Sequence, residues 1–217
     1  MLLSYITDRS QFSGDESARR RDLLQKITEA ARCGVDFIQL REKDLTNHEL
    51  ELLAHEAIRA VRENSPSTTE LLINSRTDVA LAVGADGVHL RSNDISPSDV
   101  RNIFGQQHHD ASLTIGASCH TLDEVRQAVD QADFVVYGPV FQKETVLGIC
   151  AVGLEGLQQA SQKKIPVLAL GGITLENAGA CLQVGAAGIA GIRLFQENDV
   201  REVVDALRSL PPLNVVD

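Results

Sequence analysis

Side chains able to bind an anion or move a proton recur in this sequence just after short apolar runs. In Gln39-Leu-Arg-Glu-Lys43, the alternation of an extended backbone turns Gln39, Arg41 and Lys43 to one face. A buried, unpaired cation is costly, so this face calls for an anion. That anion is either a substrate phosphate or a structural carboxylate such as Glu42 or Asp44. Asn74 closes another apolar run and can both donate and accept. Ser75 after it reads as the cap of the next helix, with Asp78 at its third position. Asp94 offers carboxylate oxygens of the kind Mg2+ takes, or else opens the helix that follows Pro97. His89, inside a run, reads as a packed and hydrogen-bonded histidine.

Further along, Ser118-Cys-His-Thr121 supplies a ligand hydroxyl (Ser118), a thiol that could act as a nucleophile (Cys119) and an imidazole (His120). The ordinary pKa of histidine suits proton transfer near neutrality. Thr121 and Glu124 form a capping box that would start a helix directly behind His120. Two glycine-bearing turns follow, Leu170-Gly171-Gly172-Ile173-Thr174 and Ala190-Gly191-Ile192-Arg193. Glycine lets bare backbone N–H groups approach a phosphate, and Arg193 would add a charge-assisted contact. The pair His108 and His109 reads as part of a solvated surface loop.

The elements that must position these groups alternate along the chain. Strand-like runs occur at Leu2–Thr7, Phe37–Arg41, Leu71–Asn74, Gly87–Leu90, Thr114–Ser118, Phe134–Val140, Val167–Leu170 and Gly188–Leu194. Stretches with helical spacing, such as Glu49–Arg62, Leu122–Gln131 and Asn177–Val184, lie between them. Eight such units in 217 residues predict an α/β fold, a single (β/α)8 TIM barrel, with 1–217 as one domain. A weak repeat agrees: Gly34, Gly84 and Gly185 each follow the last turn of a helix, with a strand three residues later. In such a barrel the active site lies at the C-terminal ends of the strands, where the polar groups that follow the apolar runs fall. The segment from Phe141 to Gly153, with Lys143, Glu144 and Thr145, is a candidate lid on that face, and Thr145 a candidate substrate contact.

Composition narrows the function. Trp is absent and aromatics are 4%, so the core must be aliphatic, as the inside of a parallel barrel is. A net charge of −10 argues against duplex nucleic acid as a partner, which needs a basic face. The N-terminus lacks a signal-peptide pattern and no apolar stretch is long enough to span a bilayer, so no membrane association is expected and a cytoplasmic location is. The four cysteines fit no metal or CxxC spacing and are expected as reduced thiols. The expected partner is a small phosphorylated substrate, with a homo-oligomer left open.

Taken together, these motifs resemble the thiamin phosphate synthase and TenI family over nearly the whole chain. The carriers are Tyr5-Ile-Thr-Asp8, Gln39-Leu-Arg-Glu-Lys43, Ile73-Asn-Ser-Arg-Thr-Asp78, Gly84-Ala-Asp-Gly-Val-His-Leu90, Ser118-Cys-His-Thr121, Tyr137-Gly-Pro-Val-Phe141, Gly153-Leu-Glu-Gly-Leu157 and Gly171-Gly-Ile-Thr-Leu-Glu-Asn177. The family has two branches. Synthases join a thiazole phosphate to a pyrimidine pyrophosphate with Mg2+, and TenI-like members isomerise a thiazole carboxylate phosphate by proton transfer. The resemblance implies that Gln39, Arg41, Lys43 and Asn74 contact pyrophosphate and that Asp94 is a Mg2+ ligand. It assigns the thiazole phosphate to Gly172 and the Gly191–Arg193 turn, and matches His120 to the TenI histidine.

Two departures stand out. Ser75 occupies the position of a second metal carboxylate, and Val146 that of a loop Lys, although Lys143 could supply the charge from a shifted position. Metal and Lys should both neutralise a leaving pyrophosphate, whereas proton transfer needs neither. The sequence therefore leads to a TenI-like thiazole tautomerase with His120 shuttling the proton and no cofactor required. The alternative is a thiamin phosphate synthase with Mg2+, and a third reading is a non-catalytic binder of these phosphates.

Overall fold

The apolar runs become β1 (Leu2–Ile6), β2 (Phe37–Leu40), β3 (Glu70–Asn74), β4 (Gly87–Leu90), β5 (Thr114–Cys119), β6 (Phe134–Tyr137), β7 (Val167–Ala169) and β8 (Gly188–Gly191). All are parallel, each pairs with its neighbour in sequence, and β8 returns to β1 to close an eight-stranded barrel. The computed structural model describes residues 1–65, 69–107, 113–141 and 150–211. Helices follow the strands: α1 (Glu16–Arg32), α2 (Asn47–Asn64), α3 (Thr77–Val83), α4 (Pro97–Gln107), α5 (Leu122–Ala128), α6 (Gly153–Ser161), α7 (Leu175–Gln183), α8 (Arg193–Gln196) and α9 (Val200–Arg208). The chain is thus a (β/α)8 barrel. Among the described residues no helix is long and apolar enough to cross a membrane.

Strand alternation divides the side chains between two cores. Outward residues such as Leu3, Tyr5, Ile38, Leu40, Leu71 and Ile73 pack against the helices. Inward ones, Ile6, Leu72, Phe134, Val136, Leu168 and Ala190, fill the barrel. The interior is narrow: Phe37 stacks on Phe134 with ring centroids 4.5 Å apart, and a Cβ on Gly116 would meet the Phe134 ring at 2.5 Å. His89 lies beside Phe134, 2% exposed, with Nε2 2.9 Å from the Ser118 hydroxyl. This is the packed, hydrogen-bonded histidine expected from the sequence. Burial disfavours its charged form and holds its pKa down to about 4.

The repeat has a physical basis. Gly84 ends α3 at φ 63° and ψ 45°, the left-handed conformation that glycine adopts without strain. Two residues later an aspartate turns back to the start of the preceding strand. The carboxylates of Asp36, Asp86 and Asp133 accept from the N–H groups of Leu3, Leu71 and Ile115, at 2.7, 2.8 and 2.7 Å. Each thereby ties an odd strand to the even strand that follows.

Two helix starts differ from the sequence reading. Ser75 does not cap α3, whose first turn has no side-chain cap. Its backbone is left-handed (φ 62°), its N–H extends the ladder to the His89 carbonyl at 2.9 Å, and its hydroxyl accepts from Asn74 Nδ2 at 3.1 Å. Asp94 does not open α4 either. Ser96 does so, its hydroxyl accepting from the Asp99 N–H at 3.1 Å.

The ends of β1 and β2 are locked together by an ion pair. The Glu42 carboxylate accepts from the Thr7 hydroxyl (2.6 Å), the Arg9 N–H (2.9 Å) and Arg9 Nη1 (3.2 Å). The Arg9 guanidinium also bridges both oxygens of Asp44, at 2.7 and 3.0 Å, and binds Glu16 at 2.7 Å. The side chains of Arg9 and Glu42 are 5% and 1% exposed, so neither charge can fall back on water.

Two outcomes follow for stability. Arg9→Met strands the Glu42 charge and should lower the free energy of unfolding in urea by about 3–5 kcal/mol, with Arg9→Met/Glu42→Gln recovering most of the loss. His89 stays neutral in the folded chain while the unfolded chain takes up a proton near pH 6.5. Its contribution is therefore complete above pH 6.5 and is lost as pH falls toward about 4. The loss should approach ~3 kcal/mol, and His89→Gln should flatten that part of the stability–pH curve.

Candidate active site

At the C-terminal ends of the strands lies a cleft of about 840 Å3. Arg41, His120, Gly171, Gly172, Gly191, Ile192 and Arg193 all line it, so it brings together residues that the sequence singled out separately. The Gly171–Gly172 turn is shaped by what surrounds it. Both residues have positive φ, 98° and 66°, and a Cβ would meet Pro139 at 2.5 Å from Gly171 or Phe141 at 2.9 Å from Gly172. The carbonyls of this turn point into the protein. Phe141 N–H donates to Gly171 O and Asn177 Nδ2 to Gly172 O, both at 3.0 Å. Asn177 also accepts from the Thr174 N–H at 2.8 Å, which fixes the turn to the start of α7. Among the described residues the N–H groups of Gly171, Gly172, Ile173 and Ile192 meet no acceptor. Bare N–H groups with their carbonyls turned away form a concavity suited to an anion. The Arg193 side chain is exposed beside it and has no carboxylate partner among the described residues.

The β2–β4 side of the mouth is cationic. The structural carboxylates that the sequence offered to Arg41 and Lys43 go elsewhere: Glu42 and Asp44 both turn to Arg9. Arg41 and Lys43 then form no ion pair among the described residues. Lys43 is held below its ordinary pKa, first by the Arg41 charge, then by partial burial and by Arg91. Gln39, 3% exposed, donates to Asn74 Oδ1 at 2.7 Å, and its own Oε1 is buried without a partner among the described residues. A run of polar contacts thus passes from Gln39 to Asn74, to Ser75 and on to Asp94. Gln39, Lys43, Asn74, Ser118 and Asp94 do not line the 840 Å3 cleft; Arg41 is the link between this side and the glycine turns.

His120 sits at the cleft edge, where the Thr121–Glu124 capping box starts α5 directly behind it, as expected. Its Nδ1 lies 2.6 Å from the Gly138 carbonyl. A carbonyl only accepts, so Nδ1 carries the proton and Nε2 of the neutral ring keeps its lone pair. Cys119 is no nucleophile: it is 2% exposed, and burial pushes its thiol up to about 12. All four cysteines are free.

The residues around Asp94 do not fit a divalent cation. Both carboxylate oxygens are taken by Arg91, Oδ2 by its N–H at 2.8 Å and Oδ1 by Nη2 at 2.9 Å, and the Ser75 hydroxyl donates as well. Burial raises the carboxyl pKa, but these donors outweigh it and hold the group below the usual range. The neighbouring Ser75 is neutral, and a guanidinium already neutralises the Asp94 carboxylate. Thr145, Lys143, Val146, His108 and His109 lie outside the described residues. Sequence reasoning gave no role to Thr7, Arg9 or Arg91. The i,i+3 spacing of Arg91 and Asp94 is the one local signal that could have found a pair among them.

Comparison with known proteins agrees with this geometry. The model of the family described as thiamine monophosphate synthase (TMP-TENI) matches residues 5–195. A putative thiamine-phosphate synthase 2 of Aquifex aeolicus is 39% identical over 194 residues, 88% of this chain and 96% of that protein. A thiamine-phosphate synthase of Syntrophomonas wolfei is 35% identical over 212 residues, 96% and 95% of the two chains. The structure of thiamine phosphate pyrophosphorylase from Pyrococcus furiosus superposes with a TM-score of 0.77 at 32% identity, covering 96% of this chain and 94% of that one. A barrel with a bare glycine cradle on one side of its mouth, matched over most of its length by these proteins, belongs to the thiamine monophosphate synthase family of thiamin-biosynthesis enzymes.

Proposed function

We propose that this protein is a thiamin phosphate synthase, joining a thiazole phosphate to a pyrimidine pyrophosphate with release of pyrophosphate. The order of the two readings drawn from the sequence is thereby reversed. The observation that carries the proposal is that Arg41 and Lys43 form no ion pair among the described residues, since Glu42 and Asp44 go to Arg9, while the glycine turns already offer an anion cradle of their own. Isomerising one phosphorylated thiazole uses one phosphate site and a base. A second side carrying two cations matches the charge of a pyrophosphate better than the single carboxylate that a thiazole carboxylate phosphate would place there. The names of the relatives point the same way.

In this reading the thiazole phosphate rests on the N–H groups of Gly171, Gly172, Ile173 and Ile192, with Arg193 beside them. The pyrophosphate lies against Arg41, Lys43 and Asn74. As its carbon–oxygen bond breaks and the carbon–nitrogen bond to the thiazole forms, charge grows on the leaving oxygens, and the two cations offset it. Gln39, itself buried, donates to Asn74 and so orients it. His120 favours a second reading, the tautomerase, because its free Nε2 stands at the cleft as a base would.

Incubating the protein with both substrates should yield thiamin phosphate and pyrophosphate in equal amounts. Gly172→Ala should raise the KM for thiazole phosphate by roughly tenfold, about 1.4 kcal/mol, since its backbone is left-handed and its Cβ collides with Phe141. His120→Ala should change pyrophosphate release by less than about threefold, well under 1 kcal/mol. No pyrophosphate, together with a thiazole isomerisation that His120→Ala abolishes, would replace this proposal with the second reading.

A further inference from the structure

The donor set at Asp94 raises the question of what neutralises pyrophosphate here. Charge counting gives an answer. Two carboxylates and a divalent ion sum to zero, and so do one carboxylate (Asp94), one neutral hydroxyl (Ser75) and one guanidinium (Arg91). We infer that Arg91 is the resident cation of the β2–β4 side and that, with Arg41 and Lys43, it binds pyrophosphate without a divalent metal. This rests on the reading that pyrophosphate is the ligand of that side.

The geometry supports the exchange. Asp94 holds Arg91 at its backbone N–H (2.8 Å) and at Nη2 (2.9 Å), which directs the guanidinium along the carboxylate. The Asp94 side chain is 9% exposed but that of Arg91 is 54%, which leaves the guanidinium open to solvent on its other edge. Among the described residues only Nη2 of that guanidinium is engaged, and Nε and Nη1 remain as donors in the fork geometry that matches phosphate oxygens. Ser75 is held to this arrangement by its left-handed backbone, an unusual state for a serine, which brings its hydroxyl to the Asp94 carboxylate. The three cations sense one another, since both Arg41 and Arg91 depress the Lys43 pKa. Asp94 offsets Arg91, and Asp8 acts on Arg41 and Lys43 from nearby, yet the cations still outnumber these two carboxylates, which favours a polyanion.

The test is calorimetric titration of the full chain with inorganic pyrophosphate, in EDTA and again in millimolar MgCl2. The dissociation constants should agree within about threefold. Arg91→Gln should weaken binding in EDTA by roughly tenfold or more, with Arg91→Lys in between, and thermal melts should show both variants folded. Binding seen only with Mg2+, or an Arg91→Gln protein that binds as well as its parent, would overturn the inference. Thiamin phosphate formation, assayed in parallel, separates the two claims. Pyrophosphate binding in EDTA without turnover would sink the synthase reading and uphold the Arg91 site. Turnover with pyrophosphate binding strictly dependent on Mg2+ would do the reverse.

Discussion

Glu42 has nowhere to go but Arg9. Its carboxylate is buried at the junction of β1 and β2 and takes three donors there, one of them the Thr7 hydroxyl. Thr7 in turn accepts from the Arg41 N–H at 2.9 Å, so the same cluster fixes the backbone from which Arg41 leaves the barrel. A charge this deep is tolerated only when it is fully paired and hydrogen-bonded. Meeting that condition uses up both acidic residues that alternate with Arg41 and Lys43. The cationic character of the mouth is thus a by-product of how a buried carboxylate is satisfied next door.

The opposite rim solves the same problem with backbone. There the turn after β7 is pinned from two sides, by the extended chain after β6 and by Asn177 at the start of α7. Each contact takes up a carbonyl, and the N–H groups are what is left facing the cleft. One rim gathers partial positive charge from peptide groups and the other gathers it from side chains. Both draw on neighbouring strands for rigidity, which is what a site needs if charge is to be met without reorganisation.

The barrel was legible because its strands are buried on both faces and read as plain apolar runs. The runs overshot by three residues at Gly138–Val140 after β6 and Ile192–Leu194 after β8, where the chain stays largely apolar after pairing ends, and by one residue at Thr7, Arg41 and Leu170. The glycine turns were legible too, since a left-handed backbone asks for a particular residue type. Pairings between side chains were not. Glu42 and Asp44 stood as candidate partners of Arg41 and Lys43, and nothing local says that Arg9, 33 and 35 positions away, would claim them. Ser75 looked like a helix cap because Ser followed by Asp at that spacing usually is one. The demand of the β3–β4 ladder for its N–H, with its hydroxyl drawn to Asp94, overrode that local preference.

The account stands on the mouth holding two separate anion sites. Calorimetric titration of pyrophosphate into protein already saturated with thiazole phosphate addresses this directly, because the pair has no reaction to undergo. Two separate sites predict one pyrophosphate bound per chain, with a dissociation constant within about threefold of that without thiazole phosphate. An apparent constant that climbs in proportion to the thiazole phosphate concentration would mean one shared site, and would contradict it.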